Sequence, residues 1–179
     1  MDRKGIWRSV LLACLVLQSP LGLADWRTDL PGARLAGSAE FTWFGFSLYQ
    51  ANLWRADGAS GQPDMQQPFA LELVYSREIS REALVDASVE EISRLSGAQV
   101  DDSSLARWRS EMQGAFVDVT PGQRITGVYL PGRGCRFYVD GRLSREIADP
   151  AFARAFFAIW LAPGTRNPEL RRELLGLNP

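Results

Sequence analysis

The sequence has no histidine, and its single lysine, Lys4, lies close to the amino terminus. Without imidazole there is no Ser-His-Asp or Cys-His nucleophile and no histidine-ligated metal. Without lysine in the body of the chain there is no Schiff base and no phosphate-binding loop ending in Gly-Lys. Cysteine is almost as scarce. Cys14 sits in the N-terminal apolar run and Cys135 stands alone after it, so no disulfide can form within residues 25–179. There is no Asp-x-Asp-x-Asp-Gly run for calcium and no Gly-x-Gly-x-x-Gly fingerprint; Pro131-Gly132-Arg133-Gly134 is too short and falls between two strand-like runs. The expectation is a protein without metal or cofactor. Carboxylates, arginine, tyrosine and hydroxyls are what remain for chemistry.

The amino terminus reads as an export leader. Arg3, Lys4 and Arg8 precede the apolar run Val10 to Leu17, and Gly22-Leu23-Ala24 supplies a small-x-small cleavage pattern, predicting cleavage after Ala24. The run is too short for a bilayer span of about 20 residues. Leu11-Leu12-Ala13-Cys14 offers an alternative, a lipoprotein box that would leave Cys14 acylated, but Arg8 interrupts the apolar stretch such a box needs. The expected mature chain, residues 25–179, is one domain located in the periplasm or secreted, with no membrane span of its own. From 20 basic and 21 acidic residues, loss of Asp2, Arg3, Lys4 and Arg8 leaves 17 and 20, a formal charge of −3. The remaining cations are all arginine and are scattered, which argues against the basic stripe that a nucleic-acid partner requires. Nothing in the sequence marks a protein partner.

Hydrophobic residues make up 46% of the chain and charged residues 23%, enough apolar material for a packed core. From Arg34 to Trp54 aromatic and β-branched residues predict two strands, or one bent at Gly45. Ala56 to Pro68 reads as a loop, and Phe69 to Tyr75 alternates as a strand with one strongly apolar face. Ser80 is placed to cap a helix running to Leu95 and closed by Gly97, with Ala83, Leu84, Ala87, Ile92 and Leu95 along one side. Asp102-Ser103 opens a second helix burying Leu105, Trp108, Met112 and Ala115. Gln123 to Leu130 predicts a strand, and Asp140-Gly141 joins Cys135–Val139 to Leu143–Ile147 as a hairpin. Asp149-Pro150 caps a helix that is apolar almost all round, and Asn167-Pro168 starts a short last one ended by Gly176. The fold class this order implies is α+β: an antiparallel β-sheet packed on one face by a layer of α-helices.

Phe41 to Tyr49, Leu71 to Ile79, Pro121 to Ile125 with Tyr138 to Gly141, and Phe156 to Leu161 with Thr165 to Arg171 together resemble the bacterial chalcone-isomerase-like family. The resemblance implies a large antiparallel sheet, a helical layer and a cleft between them. In the plant enzymes that cleft works without cofactor, with an arginine, a tyrosine and small polar groups favouring attack of a phenolate on an enone. On this chain Phe44 falls where the strand threonine should be, Ile79 where the tyrosine should be and Asp86 where the asparagine should be, while Arg34 is near the family arginine but out of register. No catalytic residue carries over. The resemblance instead implies a non-catalytic member similar to fatty-acid-binding proteins, holding a small apolar or amphipathic molecule. A cofactor-independent isomerase or intramolecular lyase acting on a flavonoid-like enone is the alternative.

The candidate ligand-binding residues are Arg34, Tyr75 and Tyr129. The two tyrosines project from the apolar faces of their strands, either to present a hydroxyl to a ligand or to sit in the core with the hydroxyl tied to backbone. Arg34 could bind an anionic head group or lie solvated beside Asp29 or Glu40. Cys135 stands between Arg133 and Arg136, which would lower a thiol pKa, although a half-buried strand residue is the plainer interpretation. Asp101-Asp102 form a carboxylate pair where a helix start favours negative charge.

Overall fold

A computed structural model describes residues 25–56 and 58–177; the predicted leader, residues 1–24, lies outside the described residues. Six strands form one antiparallel sheet in chain order: β1 (Arg34–Trp43), β2 (Phe46–Arg55), β3 (Phe69–Tyr75), β4 (Arg124–Leu130), β5 (Gly134–Val139) and β6 (Arg142–Ile147). Between β3 and β4 the chain leaves the sheet to build α1 (Arg81–Ser96) and α2 (Asp102–Ala115), and after β6 it adds α3 (Pro150–Leu161) and α4 (Pro168–Leu174). This is the α+β arrangement expected, with an antiparallel sheet and the four helices on one face.

The punctuation residues act where the sequence places them. Ser80 Oγ accepts from the Ala83 amide and Asp101 from the Ser104 amide, each cap contributing about 1 kcal/mol to its helix. Asp149 does more. Its Oδ1 accepts from the amides of Ala151 and Phe152, while its Oδ2 takes the Trp108 indole N–H at 2.9 Å, tying α2 to the start of α3. Asn167 makes no side-chain cap on α4, which begins instead with the fixed φ of Pro168. Two hairpins turn through consecutive positive φ values, Phe44 (49°) with Gly45 (77°) and Asp140 (46°) with Gly141 (79°), the left-handed pair that suits the twist of antiparallel strands.

The face of the sheet toward the helices carries the main core. Phe137 of β5 meets Phe156 of α3 edge to face at 5.0 Å, Phe69 of β3 stacks on Tyr129 of β4 at 4.9 Å, and Phe157 packs against both members of that pair. Each such ring contributes about 1.5–3 kcal/mol by burial. Close backbone approach completes the packing at β1, where a Cβ on Gly37 would lie 2.1 Å from the Leu174 carbonyl oxygen at the end of α4. The opposite face is polar toward its centre. Ser38 donates to Asn52, Asn52 to Glu72, and Arg124 lies 3.9 Å from Glu72. It also holds a second, smaller core that the sequence did not lead us to expect: Trp26 and Leu30, from the segment before β1, pack on Ala70, Val128, Leu130 and Tyr138. Asp29 anchors that segment by accepting from Tyr138 Oη and Arg136.

Candidate functional site

Toward the end of the sheet where β1 turns into β2, α1 stands away from the strands and encloses a cavity of about 440 Å³. That volume lies within the ordinary range for small-molecule sites, about 300–1,000 Å³. The sheet supplies its floor through Phe41, Tyr49, Leu73, Tyr75 and Ile125, α1 one wall through Ala83, Leu84, Ala87, Ser88 and Glu91, and α3 another through Phe156, Ile159 and Trp160. Thr165, Arg166 and Asn167, between α3 and α4, close a further side. The expected apolar side of α1 is thus divided in purpose. Ile92 is fully buried in the core together with Val85, whereas Ala83, Leu84 and Ala87 line the cavity.

A bulge shapes the floor. The pairing of β1 with β2 runs Phe41 to Tyr49 and then Thr42 to Ser47, so Leu48 is an extra residue on β2. With Leu48 also turned to the cavity, Tyr49 stacks on Phe41 at 5.1 Å and meets Tyr75 of β3 edge-on at 6.0 Å. Tyr49 Oη accepts the Trp160 indole N–H at 3.1 Å, which leaves its own proton to donate. Tyr75 Oη has no hydrogen-bond partner among the described residues, and it belongs to the cavity lining. Burial pushes the Tyr49 phenol up to about 12, a rise the Trp160 bond only partly offsets, and pushes Tyr75 further still, with Tyr49 adding to the effect. Both therefore stay protonated at neutral pH and act as donors, not bases.

The polar side is a closed electrostatic cluster. Glu91 receives a two-pronged contact from Arg94 and a further one from Arg166 Nε at 2.9 Å; Arg166 also reaches Glu90 at 2.7 Å, and Arg94 donates to the Gly164 carbonyl. The Arg94 hydrogen bonds hold the Glu91 carboxyl below the usual carboxylate range against the opposing effect of burial, with both guanidinium charges assisting. Two cations and two anions cancel, so the cavity presents no uncompensated charge there.

Of the three residues nominated from the sequence, the fold brings only Tyr75 to the cavity. Tyr129 is buried between Phe69 and Phe157 and donates to the Met65 carbonyl at 3.3 Å, the core arrangement foreseen as its other possibility. Arg34 is exposed at the opposite end of β1, across from Arg55, and Asp29, its expected neighbour, is taken by Arg136 and Tyr138. Of the positions aligned with the plant catalytic set, Ile79 lines the cavity; Phe44 lies in the exposed turn and Asp86 faces outward, paired with Arg109. Cys135 is buried, its thiol pushed up by desolvation and by Asp149, so the flanking arginines do not activate it. No group of ligating side chains able to hold a metal occurs among the described residues. Tyr49, Trp160 and Arg166 escaped the sequence reading. Tyr49 was visible only as one more aromatic in a strand, and nothing local tied Arg166 to Glu91.

Comparison with known proteins agrees with this geometry. The family described as chalcone isomerase-like matches residues 33–176. The chain belongs to the chalcone isomerase-like family. An uncharacterized protein of Haemophilus influenzae is 28% identical over 169 residues, covering 94% of this chain and 77% of its own. Among solved structures, a fatty-acid binding protein of Arabidopsis thaliana superposes with a TM-score of 0.60 at 12% identity, over 81% of this chain and 87% of its own, and shares the fold.

Proposed function

We propose that this chalcone isomerase-like protein is an exported, non-catalytic binding protein whose cavity accepts a small amphipathic molecule such as a fatty acid. The observation that carries the reading is the pairing of an apolar cavity with two protonated phenols, Tyr49 and Tyr75, set in its floor as donors. Apolar walls favour a hydrocarbon tail at about 25 cal/mol per Å² removed from water, while a carboxylate or carbonyl accepts from the phenols. The fold shared with a plant fatty-acid binding protein supports the same reading. The leader expected at residues 1–24 would deliver the protein outside the cytoplasm, and N-terminal sequencing of the mature form, starting at Asp25, checks that part.

Native mass spectrometry and organic extraction of the purified protein should recover a bound lipid, and long-chain fatty acids should raise its melting temperature. A protein that carries nothing and shows no shift across a panel of chain lengths would falsify the proposal. The same two donors are what a cofactor-free isomerase would use to polarise an enone. Stereoselective ring closure above the uncatalysed rate, lost on replacing Tyr49 or Tyr75, would decide for that second reading.

A further inference from the structure

Three exposed aromatics crowd the tip of the β1–β2 hairpin: Phe44 is 85% exposed, Trp43 59% and Phe46 57%. Phe44 is the unusual one. It occupies a left-handed position, φ 49°, that is strained for a bulky side chain with a Cβ and that Asn, Asp or Gly fill more readily. The chain has that ordinary solution at hand. Asp140-Gly141 makes the same turn at the same end of the sheet, whereas here a phenylalanine is held in strain with only the edge of Trp43 against it. A backbone outlier that no internal packing repays points to a role outside the molecule.

Two further observations indicate what meets it. Trp43 is at once part of the tip and part of the cavity lining, so the aromatic surface runs continuously into the ligand cavity. Beside the tip, Arg77 lies over the Phe46 ring at 4.6 Å and has no carboxylate partner among the described residues, leaving its charge for an external anion. Aromatic side chains fringed by arginine suit the boundary between acyl chains and anionic head groups. We infer that the β1–β2 hairpin docks on an anionic lipid surface, setting the cavity against the bilayer so that an apolar ligand passes between them without crossing water. The docking stands on the tip itself; the passage of ligand rests on the binding reading above.

The test uses protein purified from the periplasm of an expression host, its N-terminus read by mass spectrometry, with sucrose-loaded vesicles of phosphatidylglycerol and phosphatidylcholine. Phe44→Asn is the decisive variant, because asparagine relieves the turn and so preserves or raises the melting temperature. Wild type should sediment with the vesicles, more strongly as the anionic fraction rises, and Phe44→Asn or Trp43→Ser should each lower partitioning about tenfold, the loss expected for one ring. Brominated lipid should quench the fluorescence of the wild type, chiefly through Trp43, since Trp26, Trp108 and Trp160 are buried and half-buried Trp54 lies toward the far end of β2 from the tip. Wild type that fails to sediment, or Phe44→Asn that sediments equally well, overturns the docking. Dimerisation abolished by Phe44→Asn would assign the tip to a second copy instead and overturn it too. Fatty-acid thermal shifts on the same proteins separate the two ideas: shifts without vesicle binding leave the cavity reading standing, and vesicle binding without shifts leaves only the docking.

Discussion

Tyr75 and Tyr129 offer a paired experiment, because neighbouring strands carry them on the same face of the sheet and their hydroxyls differ in one respect. Tyr129 Oη donates to the Met65 carbonyl, while Tyr75 Oη lines the cavity without a partner. A satisfied buried hydroxyl contributes about 0.5–1.5 kcal/mol net, whereas removing one that opens onto a cavity costs little. Tyr75→Phe should therefore leave the melting temperature within about 1–2 °C of the wild type. Tyr129→Phe removes a 3.3 Å bond and orphans the Met65 carbonyl, so it should lower stability by about 0.5–1 kcal/mol. Binding should order them the other way. If a carboxylate accepts from Tyr75, its loss costs about 1.5–3 kcal/mol of affinity, a tenfold or greater rise in Kd, while Tyr129→Phe leaves Kd as it was. Calorimetric melting and displacement of a fluorescent fatty acid read the two quantities on the same samples. Tyr75→Phe that destabilises the protein and binds normally would refute the reasoning, since the phenol would then be a core group like Tyr129.

Gly37→Ala should destabilise by about 1–3 kcal/mol or more in urea unfolding, because the new Cβ would press on the Leu174 carbonyl and lift α4 from β1; an unchanged midpoint would mean that this contact is not tight in solution. Glu91 sets an acid-side pH dependence. Its folded pKa is depressed, so the stabilisation from its arginine contacts is complete above the ordinary carboxylate value, about 4.3, and is lost as pH falls through the lower folded value. Glu91→Gln should accordingly flatten the fall of melting temperature below about pH 5, and a profile parallel to the wild type would remove Glu91 as its source.

Helix starts, the Asp140-Gly141 hairpin and the α+β class were legible because each is written in neighbouring residues. Ser80 with Ala83, Asp149 with Pro150 and Asp140 with Gly141 need no tertiary information. The cavity was not legible in this way, for two physical reasons. Leu48 bulges, and an extra residue resets the alternation from which inward-facing positions are inferred, so Tyr49 could not be assigned to the floor. Arg166 meets Glu91 only because the turn after α3 returns across α1, a pairing of residues far apart in the chain with no local signature. The small second core was hidden likewise. Trp26 and Leu30 precede the first strand, and only folding lays them across β3, β4 and β5.

The aromatic packing between α3 and strands β4 and β5 is solid, and the space between α1 and the far side of the sheet is hollow. An interior built this way does not loosen evenly. α1 is held from behind, by Val85 and Ile92 in the core and by the pairs of Glu90 and Glu91 with Arg166, while its cavity side meets no packed rings; shifting α3 means breaking the whole ring stack. A guest lodged beneath α1 would act as the missing mortar, adding contacts along the one wall that the chain leaves without filling of its own.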